Sequence, residues 1–146
     1  MIAERPSDVW FGSRLRPANI YRLIEGSMGD RNEKERKDAV IALGESDDPR
    51  AVRPLMNCCG DGNPEIRLLA ITALGKLKSG RAATVLVERI RDKQEESLTR
   101  RHAVAALAAI RSFGAIEDLK ELLSDEEEDP VIRDLVATAL ERTLMS

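Results

Sequence analysis

The nine residues from Arg36 to Gly44, RKDAVIALG, return as RLLAITALG from Arg67 to Gly75, as RRHAVAALA from Arg100 to Ala108 and as RDLVATALE from Arg133 to Glu141. The steps are 31, 33 and 33 residues. A period in this range constrains a chain more than any local propensity, because it means one supersecondary unit copied in tandem. Each copy opens on Arg, and Ala42, Ala73, Ala106 and Ala139 precede Leu43, Leu74, Leu107 and Leu140 in the same register. A second block keeps step with the first: Ala51, Ala82 and Ala115, then Leu55, Leu86 and Leu119, then Cys59, Ile90 and Leu123, then Asp61, Asp92 and Asp125. Spacings of i, i+4 and i+8 put residues on one stripe of a helix, so every repeat is read as two helices, A and B.

The boundaries carry matching start signals. Asp48, Ser79 and Ser112 occupy one position just before helix B, and their side chains can accept from first-turn amides. Asn32 with Glu35, Asn63 with Pro64 and Asp129 with Pro130 open three of the A helices, while the remaining one starts near Glu96 or Ser97. Pro54 is the local conflict, early in a helix B. The extra residues of the 33-residue steps fall between helix B and the next helix A, where stacked units tolerate length changes.

Composition agrees. Of 146 residues, 42% are apolar, 34% charged and 3% aromatic, which suits one all-α domain and excludes a β-sandwich or barrel. No run of 18 apolar residues occurs, and Met1 to Pro17 carries Glu4, Arg5, Asp8, Arg14 and Arg16 in place of an apolar leader segment. A soluble, cytoplasmic protein without a membrane span is expected. Net charge is -3, which lacks the positive field of a non-specific nucleic-acid binder. Cys58 and Cys59 are neighbours and are expected as reduced thiols; no second cysteine pair or histidine cluster builds a zinc site.

The stretch DDPRAVRPL at 47–55, the run DGNPEIR at 61–67 and the endings Ala-x-x-Ala-Leu-Gly resemble HEAT-like repeats of the phycobilisome-lyase type, over roughly residues 30–146. The third copy departs by ending in Ala108, the second and third lack Asp-Pro before helix B, and the fourth stops after its helix A. Together the periodicity and the resemblance imply an α-solenoid, a superhelix of stacked antiparallel helix pairs with helix A outside and helix B inside. Its expected organisation is an N-terminal extension or cap over 1–16, then a repeat domain over 17–146. That domain divides into a half repeat 17–31, repeats 32–62, 63–95 and 96–128, and a terminal half repeat 129–146. Trp10 and Phe11 in the extension serve either as a cap on the first layer or as a docking anchor.

Candidate chemistry is sparse. The lone His102 has no cysteine or second histidine at a useful register, and no catalytic residue, cofactor or metal site is expected. Asp125 to Asp129 lack the alternation and glycine of a calcium loop and read as a solvated inter-repeat loop. Arg36, Arg67, Arg100 and Arg133 read as a structural ladder with Asp61, Asp92 and Asp125, tying successive repeats together, in preference to an anion-binding row.

What remains is the outward side of helix B: Arg50, Arg53 and Asn57, then Arg81, Thr84 and Glu88, then Gly114, Glu117 and Glu121. Charge drifts along the chain, with 10 basic and 6 acidic residues over 61–111 and 3 basic against 10 acidic over 112–146. A polyanion would be repelled from the second half, whereas a protein of opposite gradient would be steered onto the ridge. The reading is therefore a non-enzymatic scaffold that binds a protein partner through Arg50, Arg53, Asn57, Arg81, Thr84, Glu88, Glu117 and Glu121. The alternatives are a lyase-like or cofactor-handling accessory subunit, for which the ridge is poor in aromatics, and a nucleic-acid module, for which it lacks a continuous basic strip. The last helix carries Leu135, Val136, Ala139, Leu140 and Leu144 with no helix B behind it, a face suited to self-association into a homo-oligomer.

Overall fold

The computed structural model describes residues 17–145. The contrast between cap and anchor at Trp10 and Phe11 lies outside these residues. Eight α-helices follow one another and no strand occurs among the described residues. They are α1 (Pro17–Gly26), α2 (Glu33–Glu45), α3 (Val52–Cys58), α4 (Pro64–Leu77), α5 (Ala83–Arg91), α6 (Ser97–Ile110), α7 (Ile116–Ser124) and α8 (Pro130–Leu144). The odd-numbered helices are the B helices of the repeat and the even-numbered ones the A helices. None of them is long and apolar enough to cross a membrane.

The A helices start where the capping signals place them. Asn32 accepts from the amide of Glu35 at 2.8 Å and donates to its carboxylate at 2.6 Å, a reciprocal capping box. Asn63 accepts from the amides of Glu65 and Ile66, and Asp129 from that of Val131 at 2.7 Å. Glu96 stands at the same position before α6 but its side chain makes no cap bond. The B helices begin differently from expectation. One turn of 3-10 helix precedes each of α3, α5 and α7, at Pro49–Ala51, Gly80–Ala82 and Phe113–Ala115. Asp48 caps the first of these turns, whereas Ser79 and Ser112 make no side-chain cap bond. This tight turn also resolves the conflict at Pro54, which falls in the first turn of α3, where an amide has no intrahelical acceptor to lose.

Packing is columnar. Leu43, Leu74 and Leu107 on the A helices and Leu55, Leu86 and Leu119 on the B helices are at most 1% exposed, with Ala51, Ala82 and Ala115 buried beside them. Leu140, in the last layer, is only partly buried. The A helices stack in succession, α2 on α4, α4 on α6 and α6 on α8, and each B helix leans mainly on the A helix that follows it. Small residues set the spacing. A methyl group at Gly44 would lie 2.5 Å from the Ala73 Cβ and 2.9 Å from its Cα. At Gly75 it would lie 3.2 Å from the Ala106 Cβ. The Ala-Leu-Gly ending is thus a close-approach signal in which the glycine of one layer receives the alanine of the next.

The chain turns sharply after α2, α4 and α6. Asp47, Lys78 and Arg111, three residues past those endings, all adopt φ of 54°, the left-handed conformation that favours glycine. Lys78 and Arg111 are the C-caps of α4 and α6, and their amides donate to the carbonyls of Leu74 and Leu107.

Candidate partner-binding surface

All eight predicted partner-binding residues are exposed, and Gly114 is exposed with them. They do not form one site. Arg50, Arg53 and Asn57 meet at a depression of about 440 Å³ between α1 and α3, whose floor and walls include Ile24, Met28, Pro54 and Cys58. Arg81 borders a smaller depression of about 170 Å³ with Asp47, Val52 and Leu77. Glu121 borders a third of about 300 Å³ with Arg91, Lys93, Leu122, Asp125 and Glu128. Thr84 and Glu88 lie exposed on α5, and Glu117 on α7.

The first depression owes its existence to α1, the half repeat. Ile24 on α1 and Met28 in the loop after it face Pro54 and Asn57 on α3, and together they leave an apolar hollow rimmed by guanidinium groups. Sequence reasoning identified the α3 side and left out Ile24, Ser27 and Met28. The signal was the half repeat at 17–31, which already set a helix beside α3 in the stacking order. Arg50 is held by the Asp48 carboxylate at 2.8 and 3.1 Å and lies over the Tyr21 ring, 5.4 Å from its centroid. Arg53 is exposed beside it.

The arginine ladder exists, with different acids. Arg36 pairs with Asp61 as expected. Arg67 takes a two-pronged grip on Glu95, at 2.8 and 2.9 Å, and Arg100 pairs with Glu128 at 2.6 Å. Asp92 serves Arg89 instead, and Asp125 serves Lys93 at 2.8 Å. Glu95 and Glu128 lie where the first loop has Gly62, within the inter-repeat loops that are two residues longer; the added length lets a longer side chain enter between layers. The acidic run 125–129 is accordingly not wholly solvated, since Glu128 is 4% exposed.

Both glutamates carry a further load. One oxygen of each accepts the amide of the next residue, Glu96 at 3.0 Å and Asp129 at 2.8 Å. Hydrogen bonds from Arg67 hold the Glu95 carboxyl down at about 2, against the opposing effect of burial. At Glu128 burial pushes upward and is outweighed by the bonds from Arg100 and Asp129, for a net lowering. The fourth arginine of the register, Arg133, donates to the Leu123 carbonyl at 3.2 Å, and its buried Nε has no acceptor among the described residues.

Other reactive groups are occupied or inert. His102 is half-buried, with Nδ1 at 2.9 Å from the Leu98 carbonyl. Cys58 and Cys59 are buried free thiols, both shifted upward by burial, Cys59 to about 12, so neither is a ready nucleophile. Among the described residues no group of three or more His, Cys, Asp and Glu side chains is placed to hold a metal ion.

This geometry has relatives. A family model described as HEAT repeats matches residues 20–98, more than half of the chain. No curated protein matches the sequence significantly. Human deoxyhypusine hydroxylase, solved in complex with glycerol, superposes with a TM-score of 0.73 at 21% identity, over 93% of this chain and 46% of its own. The complex of CpcE and CpcF of phycocyanin lyase from Nostoc sp. superposes at 0.68 and 21% identity, over 99% of this chain and 62% of its own. An engineered protein gives 0.65 at 21% identity, over 88% and 63% respectively. The chain spans less than two thirds of the length of each. The alternating A and B helices, their columns of Ala and Leu in 31- to 33-residue register and the family match over residues 20–98 place this chain in the HEAT repeat family.

Proposed function

We propose that the chain is a non-enzymatic scaffold that binds a protein partner along its B-helix ridge. The observation that carries this reading is the succession at one register position of exposed Arg53, Thr84 and Glu117, a cation, a neutral group and an anion on three successive B helices. Such a gradient imposes an orientation on a charged partner and serves no purpose in packing, because all three side chains point to solvent. Stacked repeats supply the extended surface that this kind of recognition uses. The experiment is a charge-reversal series, Arg53→Glu, Glu117→Arg and both, in affinity capture from the source cell with the partner identified by mass. Each single variant is expected to melt like the parent and to lose the partner. Equal capture by the double variant and the parent would refute the ridge as the binding surface.

A second reading, an accessory subunit of a lyase-like assembly, is favoured by the superposition on the CpcE and CpcF complex over nearly the whole chain. Titration with a free bilin tests it. A change in bilin absorbance on mixing would support that reading, and an unaltered spectrum at high protein concentration would remove it.

A further inference from the structure

We propose that the depression between α1 and α3 is a receptor for an acidic side chain followed by an apolar one on a segment of the protein partner. This rests on the protein-binding reading and gives the partner's chemistry at one end of the ridge.

The depression between α5 and α7 and the one between α1 and α3 differ in how their charges are matched. Around the one between α5 and α7, Arg91 bridges Asp118 at 2.9 Å and Glu121 at 2.7 Å, and Lys93 bridges Asp125 at 2.8 Å. Its cations are consumed by its own carboxylates. The one between α1 and α3 is lined by Arg36, Arg50 and Arg53 against the single carboxylate Asp61, so an excess of positive charge faces the hollow. Arg36 spends its charge on Asp61, and Arg50 leans on Asp48 outside the lining. Arg53 has no ion pair within the described residues. It is a planar five-donor group on the rim of a hollow that mixes polar groups such as Asn57 and Asp61 with an apolar wall of Ile24, Met28 and Pro54.

That combination selects among anions. A carboxylate fits the guanidinium fork in two-pronged fashion, and the adjacent apolar wall suits a neighbouring aliphatic or aromatic side chain. Inorganic phosphate or a nucleic-acid backbone would engage Arg53 and leave the apolar wall unused. A long polyanion would also run toward the acid-rich residues 112–146. Met28, more than half exposed on this rim, adds an adaptable apolar surface.

The test uses a random twelve-residue phage-displayed peptide library panned on the full chain, followed by synthetic copies of the enriched peptides. Affinity is measured by fluorescence anisotropy for the parent, Arg53→Glu and Glu117→Arg, with the Met28 methyl resonance followed by NMR. Enriched peptides are expected to carry Asp or Glu next to a large apolar residue and to shift the Met28 methyl. They should lose at least tenfold in affinity on Arg53→Glu and change less than threefold on Glu117→Arg. Because Arg53 is exposed, Arg53→Glu should melt with the parent; Arg53→Gln supplies an uncharged check and should lose affinity in the same direction. Peptides sensitive to Glu117→Arg alone would overturn this inference while leaving the ridge as a protein-binding surface. Peptides indifferent to both variants, basic or neutral consensus sequences, or no enrichment would also overturn it. Displacement of bound peptide by duplex DNA at matched charge would turn the site toward nucleic acid and count against both readings.

Discussion

Replacing Gly44 with alanine is the sharpest way to probe how the layers meet. In an isolated helix the change stabilises by roughly 0.5–1 kcal/mol, because glycine gives up more backbone freedom on folding. Here the new methyl would stand 2.5 Å from the Ala73 Cβ and 2.9 Å from its Cα. Carbon atoms settle at about 3.5–4.0 Å, so α2 and α4 must separate by roughly 1 Å at this point. Neither obstacle is a flexible side chain that can swing aside. Val40, Leu43, Ile71 and Leu74, all fully buried nearby on the same two helices, would lose part of their contact as the layers part. Overpacking of this kind costs about 1–3 kcal/mol, and less the helical gain the balance for Gly44→Ala is a net loss of roughly 1 kcal/mol. The same change at Gly75 meets Ala106 at 3.2 and 3.3 Å, needs only a few tenths of an ångström, and should come out within about 0.5 kcal/mol of neutral. The third copy already has Ala108 at this position. Urea denaturation followed by circular dichroism reads the difference. Ala73→Gly removes only the nearer obstacle, so the variant carrying both Gly44→Ala and Ala73→Gly should be more stable than the sum of the two single losses implies, a coupling that neither single change predicts. If Gly44→Ala proves as stable as the parent, the close-approach argument is wrong.

Three further outcomes are expected. Lys78→Gly and Arg111→Gly should each stabilise by about 0.5–1 kcal/mol, the relief of a left-handed side-chain clash less the added freedom of glycine in the unfolded chain, and thermal melting checks it. Thr99 is 1% exposed, stands where the flanking copies have Ile66 and Ile132, and its hydroxyl has no partner, so Thr99→Val should gain about 1 kcal/mol in urea midpoint analysis. Glu95→Gln should cost about 2–3 kcal/mol at neutral pH by leaving Arg67 and Arg89 without their acid. The folded carboxyl lies below its unfolded value, so its contribution is whole above the ordinary glutamate range and is lost as pH falls toward about 2. The gap between Glu95→Gln and the parent should therefore narrow between pH 5 and pH 3.

Much of this architecture was legible because the repeat is a packing statement. A column of Leu43, Leu74 and Leu107 in one register has one cheap solution, a stack, and the stack is what forms. Asn32, Asn63 and Asp129 marked helix starts through a local bond that needs no tertiary information. The misses arose where geometry outside the repeat unit decided. Ser79 and Ser112 look like caps, but of the three residues at this position only Asp48, whose carboxylate reaches further than a hydroxyl, bonds to the 3-10 turn that leads into helix B. Asp92 and Asp125 share a register with Asp61, yet the longer loops carry Glu95 and Glu128 inward ahead of them. The signal was present, since both glutamates sit immediately before an N-cap and 33 residues apart, but burial of Glu128 amid five consecutive acids, or of Glu95 beside Glu96, is not apparent from pattern alone. At the candidate surface, exposure of the eight ridge residues followed from helical periodicity. Their grouping into separate hollows did not, because it depends on how far apart neighbouring B helices stand.

The arginine–glutamate pairs have a bearing on how such a molecule lengthens. Arg67 and Glu95 both belong to the segment 63–95, and Arg100 and Glu128 both belong to 96–128. Each segment brings its own counter-ion into the interior, so duplicating one in the gene adds a storey whose internal charges are already balanced. Ala73 of the new copy would meet Gly75 of the old, the same small-residue fit that joins the existing floors. Growth by whole cassettes is thereby made cheap, while a cut that separates an arginine from its acid leaves a stranded cation indoors.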